Sequence, residues 1–524
     1  MKVNRTHFFS FFLMALVLFP VFVFLFKVPL LQFPASSEWF EVFISTLLQA
    51  GLSAFFSVLL GIFGALGLCA FSNIPNRYRK KRNLQRPSLP LGENKKTPGK
   101  SKTDWNSIKK KGLELFCLLP ALLPPLIPVL AWINVFEFFY HFPFSFYSVL
   151  AIHICMNVGF TSVFFFRLFQ NQTGSLPAWA FLHGVSRLYF LKKILFFEFR
   201  KDIILIFLLI FSFCFTSFSV PLLIGGVSGQ TMEVFIAEKL KDPATWPEAM
   251  ALFTIETVFI FIFFILLYGR EEKEVRIVKQ TEPLYLLPCL PFLILPVLPS
   301  LLIFLGLGDV FSSEAVWRDL FTIKESVAMA VIQTLFVGIG TGLLVLFLLA
   351  FVAFCLRDLF LRHFLVAYSG ASVAFMGFAF LLIGSDGPIT VGMKWSVGLA
   401  LLFLPTLYRL MGESLLRRLK NQIQLADLMG ASRGLSFIKV IWPQCAGVFF
   451  FLSGIAAFWA CGDFAYSSIV AGEQTHLALL IQDLFSSYRF ELATVLTWFL
   501  ILSGTFCFSL FAGGAFVLYK KSYL

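Results

Sequence analysis

Long apolar runs separated by short polar segments dominate this chain. A helix that crosses the hydrocarbon core of a membrane needs about 20 apolar residues. By that criterion the pattern predicts twelve transmembrane helices, at 8–29, 43–71, 114–136, 146–168, 202–226, 249–268, 285–307, 326–356, 364–385, 392–411, 446–468 and 492–519. The first run is too long for the apolar core of a secretory signal, and no small-residue cleavage site follows it, so we interpret it as an uncleaved helix. The expected fold is an all-α polytopic membrane protein.

The basic residues fall between the predicted helices, mostly on one side of the membrane. With the N-terminus inside, 35 of the 42 Lys and Arg residues lie at the termini or in the inner loops 73–113, 167–201, 270–279, 357–362 and 409–439. Because inner loops are enriched in Lys and Arg, this asymmetry predicts two cytoplasmic termini and an even number of helices. It also explains the net charge of +13 without a nucleic-acid partner.

Composition excludes several kinds of site. The chain is 58% hydrophobic, and its nine cysteines are scattered singly without a CxxC spacing, so they are expected to be buried apolar residues. We predict no metal site, no cofactor and no catalytic residue. The polar, basic loop 73–112 is expected to be a disordered cytoplasmic segment near anionic lipid. Its segment NKKTPGKS resembles a phosphate-binding loop only in part, because Asn94 replaces the first glycine and Pro98 removes an amide.

A polar, basic segment at 424–443, QLADLMGASRGLSFIKVIWP, stands between two apolar runs and is expected to lie at the cytoplasmic surface. Gly430 is predicted to form a bend, and Pro443 to end the segment. A weaker copy, AWAFLHGVSRLYFLKKILFF, occupies 178–197. The two copies share a Gly-x-Ser-Arg motif, which runs from Gly184 to Arg187 and from Gly430 to Arg433, and an aliphatic residue ten positions after the glycine, Ile194 or Val440.

The similarity continues beyond these surface segments. Residues 216–231 resemble residues 462–475, and Phe218 and Phe464 each lie 34 positions after their glycine. Self-similarity of this kind predicts two fused six-helix halves, 1–270 and 285–524, joined by a cytoplasmic linker at 271–284. Halves with an even number of helices share one orientation, which places a pathway between them.

These segments resemble a signature of the permease subunits of bacterial ABC importers of the type I fold: Glu-Ala-Ala, three residues, Gly, nine residues, Ile-x-Leu-Pro. The second segment matches this signature at Gln424, Ala426, Gly430, Val440, Trp442 and Pro443, and the first at Ala180, Gly184 and Ile194. The first segment departs from the signature at Ala178, where Glu is expected, and at Phe197, where Pro is expected. Gln424 likewise lacks the charge of the family's leading Glu.

The resemblance implies that each segment forms a coupling helix seated in a cleft of a dimeric ATPase subunit, which binds and hydrolyses the ATP. It also implies a periplasmic binding protein and a place in the bacterial inner membrane. Two fused halves are similar to the iron(III) and thiamine importers, which suggests ferric iron or thiamine as substrate. The expected contacts to the ATPase are an apolar ridge and, in the first segment, basic side chains: Leu428, Met429, Leu435, Phe437, Arg187, Lys192 and Lys193.

Polar groups inside the predicted helices are candidates for the substrate pathway, because they are costly in a membrane. Asp463 is one, with Ser217 at the matching position, and it either attracts a cationic substrate or pairs with a neighbouring helix. Glu256 is a pathway or a structural group. Phe218 and Phe464 are candidates for a gate, with ordinary packing as the alternative. His153 is expected to be a bonded residue of the helix bundle.

A second interpretation is a secondary transporter with twelve helices, driven by an ion gradient. It needs charged coupling residues in the bundle, where only Glu256 and Asp463 qualify, and it gives no reason for two matched surface segments. An integral membrane enzyme would need clustered His, Asp or Glu, and the sequence shows no such cluster.

Overall fold

The structure is a computed structural model. It describes residues 32–34, 37–84, 105–139, 144–172, 183–186, 196–268, 287–308, 314–354, 372–383, 387–408, 419–470 and 474–522, with a few isolated positions. Helices, turns and short connections make up this part of the chain, and no strand occurs in it.

The principal helices are numbered in chain order. They are α1 (Glu38–Leu84), α2 (Trp105–Leu122), α3 (Leu126–Phe139), α4 (Phe146–Gln172), α5 (Arg200–Phe215), α6 (Ser219–Ile224), α7 (Met232–Leu240), α8 (Trp246–Tyr268), α9 (Ile294–Gly308), α10 (Glu314–Thr322), α11 (Lys324–Phe354), α12 (Val373–Leu381), α13 (Pro388–Leu407), α14 (Lys420–Leu428), α15 (Arg433–Ser436), α16 (Trp442–Cys461), α17 (Ala465–Val470), α18 (Leu477–Ser486) and α19 (Phe490–Ser522).

Eight helical segments of the described chain are long and apolar enough to cross a membrane, and a ninth results if the bent pair α2 and α3 is one span. Large apolar side chains cover the outside of these segments, among them Phe55, Phe347 and Leu502. Such exposed surfaces suit contact with lipid and not with water. The chain is therefore a helical, membrane-embedded protein, as the apolar runs predicted.

Five of the twelve predicted spans have no continuous counterpart. Two of them are 114–136, which bends by 94° between α2 and α3, and 446–468, which breaks after Cys461. The run 8–29 lies almost entirely outside the described residues, and 364–385 lies partly outside them. The run 202–226 is interrupted, because α5 ends at Phe215 and α6 begins at Ser219. An apolar run does not reveal such a break, since the residues on both sides of it still face apolar surroundings. The count of twelve stays a prediction.

The loop 73–112 is helical at both ends, which corrects the expectation of a disordered segment there. Helix α1 continues to Leu84, and α2 begins at Trp105. Extending an existing helix costs much less than nucleating a new one, so a long transmembrane helix can continue into a basic segment. Residues 85–104 lie outside the described chain.

The first helix after the predicted linker packs against the first part of the chain. Helix α9 contacts α1, α2, α3 and α4. Ser300 donates a hydrogen bond to the Phe116 carbonyl at 2.5 Å, and the Asn134 amide donates to the Gly306 carbonyl at 2.9 Å. Gly306 lies so close to α3 that a Cβ atom there would be 2.0 Å from the Ala131 carbonyl oxygen. Helices from the two predicted halves are thus interlocked.

Candidate functional site

The second surface segment forms a helix, a tight turn and a second helix. Helix α14 ends in two hydrogen bonds: the Gly430 amide donates to the Asp427 carbonyl, and the Ala431 amide donates to the Ala426 carbonyl, both at 3.0 Å. This pair of bonds is the Schellman arrangement, which needs a left-handed residue. Gly430 supplies it with a φ of +77°. The turn therefore requires glycine at the position where the resemblance placed it.

A serine then starts the next helix. The Ser432 hydroxyl accepts a hydrogen bond from the Leu435 amide at 3.3 Å and caps α15. Gln444 on α16 donates to Gln422 on α14 at 2.6 Å, which fixes the angle between the two helices. The turn is therefore held at both of its ends.

Pro443 does not end the segment, contrary to the prediction. It lies in the first turn of α16, and a wide π-helical turn at Phe437–Ile441 joins α15 to α16 without a break. A proline ring clashes with the carbonyl four residues earlier in a regular helix, and a π turn relieves such a clash. The second helix of the motif thus continues directly into a transmembrane helix.

An apolar ridge covers the outer side of this turn. Leu428 is 86% exposed and Met429 81% exposed, and both stand at the end of α14. Leu425, Leu435 and Ile438 are exposed beside them. Phe437, which we had placed on this ridge, instead packs against Phe354 and Trp442. Leu435 and Ile438 share a face because they are three residues apart, and Phe437 does not lie on it.

The other predicted residues of this segment surround the turn. Gln424 and Pro443 are exposed, whereas Ala426, Arg433, Val440 and Trp442 are partly buried. The Ala426 carbonyl accepts the hydrogen bond from the Ala431 amide that closes the turn, and the Trp442 ring contacts Phe437. The structure therefore brings the predicted motif residues together around one compact surface feature.

The first surface segment repeats the two details that define the turn. Gly184 has a φ of +72° and is exposed, and no atom lies within 4 Å of the place where a Cβ would be. Ser186, two residues later, accepts a hydrogen bond from the Tyr189 amide at 3.3 Å, as Ser432 does from Leu435. Ala180, Arg187, Ile194 and the lysines at 192 and 193 lie outside the described residues.

The chain that follows each turn also has the same geometry. Apolar helices end at Phe215 and at Cys461, and the six-residue helices α6 and α17 both begin 35 positions after the glycine of the turn. The predicted pathway residues Ser217, Phe218, Asp463 and Phe464 stand at these two breaks. Breaks of this kind inside transmembrane segments are common at substrate sites of transporters.

Matched threonines hold the next helix after each break. The Thr46 hydroxyl on α1 accepts a hydrogen bond from the Met232 amide at 2.8 Å, at the start of α7. The Thr334 hydroxyl on α11 accepts one from the Leu477 amide at 3.0 Å, at the start of α18. Both hydroxyls donate to the carbonyl four residues earlier. Each threonine thus satisfies a buried amide that the helix itself leaves free.

Removing one of these hydroxyls is expected to destabilise the protein. Thr334→Val keeps the volume of the side chain but leaves the Leu477 amide without an acceptor, which costs about 1–3 kcal/mol. The apparent melting temperature in detergent should fall, and Thr46→Val should lower it in the same way. Thr254→Val is the control, because this half-exposed hydroxyl bonds only to a carbonyl of its own helix. Equal melting temperatures for Thr334→Val and Thr254→Val would contradict the capping role.

The two breaks use different polar groups. The Asp463 carboxylate accepts hydrogen bonds from the amides of Tyr466 at 3.1 Å and Ser467 at 3.3 Å and caps α17. The Ser217 hydroxyl instead contacts the His153 ring at 3.1 Å. His153 also contacts Gln49 on its other nitrogen, so it is a bonded residue of the bundle. Asp463 thus has a local structural role as a helix cap.

Phe218 and Phe464 are both buried at the breaks. Phe218 packs with Val234 and Ala465, which joins the first break to the second. Phe464 is 1% exposed. On the other side of the second break, a Cβ on Gly462 would lie 2.2 Å from the Pro124 ring, next to the bend between α2 and α3. The interrupted helices therefore touch one another near the centre of the bundle.

Glu256, the remaining predicted residue, lies beside a carboxylate that the sequence did not indicate. Glu256 on α8 is 1% exposed and interacts electrostatically with Glu233 on α7, which is fully buried. Glu233 accepts hydrogen bonds from the Ser372 hydroxyl at 2.9 Å and the Ala374 amide at 3.4 Å, at the start of α12. The sequence pattern does not single out Glu233, because α7 is a short helix that lies between two of the long apolar runs.

No protein-family model, no curated protein and no solved structure matches this chain. Within the described residues, no group of three or more His, Cys, Asp or Glu side chains could hold a metal ion. The features that bear on function are therefore the two surface turns, the two breaks and the buried carboxylates.

Proposed function

We propose that this chain is the membrane-spanning permease subunit of an ATP-driven ABC importer. The observation that carries the proposal is the pair of glycine turns at Gly184 and Gly430. Each glycine has a positive φ, and the hydroxyl of the serine two residues later accepts a hydrogen bond from a backbone amide. Two equivalent surface turns suit a partner with two equivalent clefts, which is what an ATPase dimer offers. In this proposal the chain itself hydrolyses no ATP.

The proposal includes two fused halves of six helices each, at 1–270 and 285–524. Its support is the repeated order of turn, interrupted helix and threonine-held helix, which runs from Gly184 to Met232 and again from Gly430 to Leu477. A substrate pathway between the halves would then pass the breaks at Ser217 and Asp463. The two termini and both turns would face the cytoplasm of a bacterial cell.

The exposed ridge beside Gly430 is the surface that would enter an ATPase cleft. Exposed apolar side chains next to a rigid turn suit a partner that buries them in a groove. Leu428 and Met429 project furthest, so they are expected to provide most of the apolar contact. The first segment lacks the acidic and proline residues of the signature, and we propose that it docks through its basic side chains.

The ridge provides a direct test of the proposal. The double substitution Leu428→Ala and Met429→Ala truncates two large apolar side chains. Burial of one such side chain contributes a free energy of about 1.5–3 kcal/mol. It should weaken copurification with a co-expressed ABC ATPase subunit by at least 10-fold and lower the stimulation of its ATP hydrolysis. Folding should be preserved, because both side chains project into solvent in the chain alone.

The matched control is Leu502→Ala, which truncates a leucine that is 64% exposed in the transmembrane helix α19. It should leave ATPase binding unchanged. If the ridge variant binds the ATPase as tightly as the unaltered chain, the coupling role of this segment is wrong.

Other parts of the proposal depend on the resemblance alone. They are a periplasmic binding protein as the partner on the outer face, the bacterial inner membrane as the location, and thiamine or ferric iron as the substrate. The cap role of Asp463 means that this carboxylate would have to leave its amide partners before it could attract a cation. A ligand screen on the binding protein encoded beside this chain would test the choice of substrate.

A secondary transporter is the alternative, and the buried carboxylates Glu233 and Glu256 favour it. Ion-driven transporters use intramembrane carboxylates as coupling groups. Uptake of thiamine or ferric iron by intact cells separates the two proposals. Uptake that survives ATP depletion but stops with a protonophore would overturn the importer proposal and support the alternative.

A further inference from the structure

Two carboxylates are buried together where α7 and α8 meet α12. Glu233 is fully buried and Glu256 is 1% exposed. Three of their four oxygens have no hydrogen-bond partner: Oε1 of Glu233 and both oxygens of Glu256. Their surroundings are an apolar cluster that includes Phe235, Phe253 and Phe375. Such surroundings cannot solvate two negative charges.

Within the residues that the structure describes, no basic side chain neutralises this pair. Lys239, on the same helix as Glu233, is bound to Glu248 at 2.9 Å, and α12 carries no titratable side chain. Among the described side chains of α1, α7, α8 and the turn between α7 and α8, the other charged groups are exposed: Glu38, Glu41, Glu238, Lys241 and Asp242. Burying two negatively charged carboxylates without a positive partner costs several kcal/mol per ion. A positive charge or a proton must therefore accompany the carboxylates.

The two members of the pair have very different environments. Glu233 faces the N-terminus of α12, where the Ser372 hydroxyl and the Ala374 amide donate to its Oε2. Ser372 in turn caps α12 by accepting from the Phe375 amide at 3.2 Å. Hydrogen bonds and a helix N-terminus stabilise a carboxylate, so Glu233 is suited to be ionised. Glu256 receives no such bond, so the neutral form is the favoured one.

We propose that Glu233 and Glu256 form a proton-binding site in which Glu233 is ionised and Glu256 carries the proton. The proton leaves the pair with one net negative charge, which the start of α12 stabilises. The site connects α7 and α8 of the first predicted half with α12 of the second. It does not depend on whether the chain is an importer permease or a secondary transporter.

Infrared spectroscopy of the purified full chain tests the proposal. At about pH 8, exposed carboxyl groups are ionised, so a carboxylic-acid C=O band reports a buried, protonated carboxyl group. The unaltered protein should show this band. Glu256→Gln should abolish it, because the amide replaces the protonated group, whereas Glu233→Gln should retain it. Glu41→Gln, at an exposed position on α1, is the control and should leave the band unchanged.

Four results would overturn the proposal. Absence of the band from the unaltered protein would mean that both carboxylates are ionised, a conclusion that needs no variant to fold. Retention of the band in a folded Glu256→Gln variant, or its loss in Glu233→Gln alone, would place the proton elsewhere. A melting temperature that rises with added sodium, potassium, magnesium or calcium in the unaltered protein, but not in Glu256→Gln, would identify a metal cation at the pair in place of the proton.

Discussion

Gly430→Val is expected to abolish productive binding of an ATPase partner while the transmembrane bundle stays folded. Gly430 has a φ of +77°, a conformation that costs an ordinary residue about 1–2 kcal/mol and a β-branched one more. Relief of that strain would open the turn between α14 and α15 and displace the ridge at Leu428 and Met429. Copurification with a co-expressed ATPase should fall by at least 10-fold, and transport with it.

Gly434→Val is the matched control for this prediction. Gly434 lies four residues further on, in α15, and a Cβ there would meet nothing within 4 Å. Valine and glycine have similar helix propensities, so the change should have little effect. Because the second turn is the closer match to the signature, Gly184→Val should impair transport less than Gly430→Val. Equal binding by the Gly430 and Gly434 variants would contradict the requirement for this turn.

Gly306→Val is expected to impair folding strongly. A Cβ at this position would lie 2.0 Å from the carbonyl oxygen of Ala131, which is backbone and cannot rotate away. Helix α9 would have to separate from α3, and the hydrogen bond from Asn134 to the Gly306 carbonyl would be lost. Overpacking of this kind costs about 1–3 kcal/mol or more. Loss of the hydrogen bond from the Asn134 amide adds to this cost. The folded yield in detergent and the melting temperature should both decrease strongly.

Gly308→Val tests whether this effect is steric. Gly308 is in the same helix, and nothing lies within 4 Å of its missing Cβ. This variant should resemble the unaltered protein in fluorescence-detected size exclusion and in thermal melting. Comparable losses in both variants would show that helix propensity, and not the contact between α9 and α3, limits stability.

The sequence predicted the parts of the structure that depend on local chemistry. Apolar runs of sufficient length indicated most of the transmembrane helices, because length and hydrophobicity alone decide whether a helix suits a bilayer. Gly430 and Gly184 were recognisable because a left-handed turn admits few other residues. The serines that follow them were part of the same repeated motif. Each of these features is determined by a few neighbouring residues.

The features that escaped prediction depend on the relative position of distant segments. The periodicity of α14 does not determine the orientation of α15, since a turn separates them, and Phe437 was therefore placed on the wrong face. The break at Thr216–Phe218 lies within an uninterrupted apolar run. Glu233 becomes notable only when α7 packs against α8 and α12, which brings it next to Glu256. The spacing of Glu233 and Glu256 along the sequence does not predict that the two side chains lie next to each other in the fold.

The π turn at Phe437–Ile441 has a mechanical consequence. It makes the helical chain continuous from Arg433 to Cys461, a segment of 29 residues. At about 1.5 Å per residue, this segment is a rod roughly 43 Å long. One end carries Leu435 and Ile438 of the exposed ridge, and the other end stops at Gly462, next to the second break. If a partner tilts this segment at the ridge, the other end of the segment, at the second break, is therefore displaced by a comparable distance.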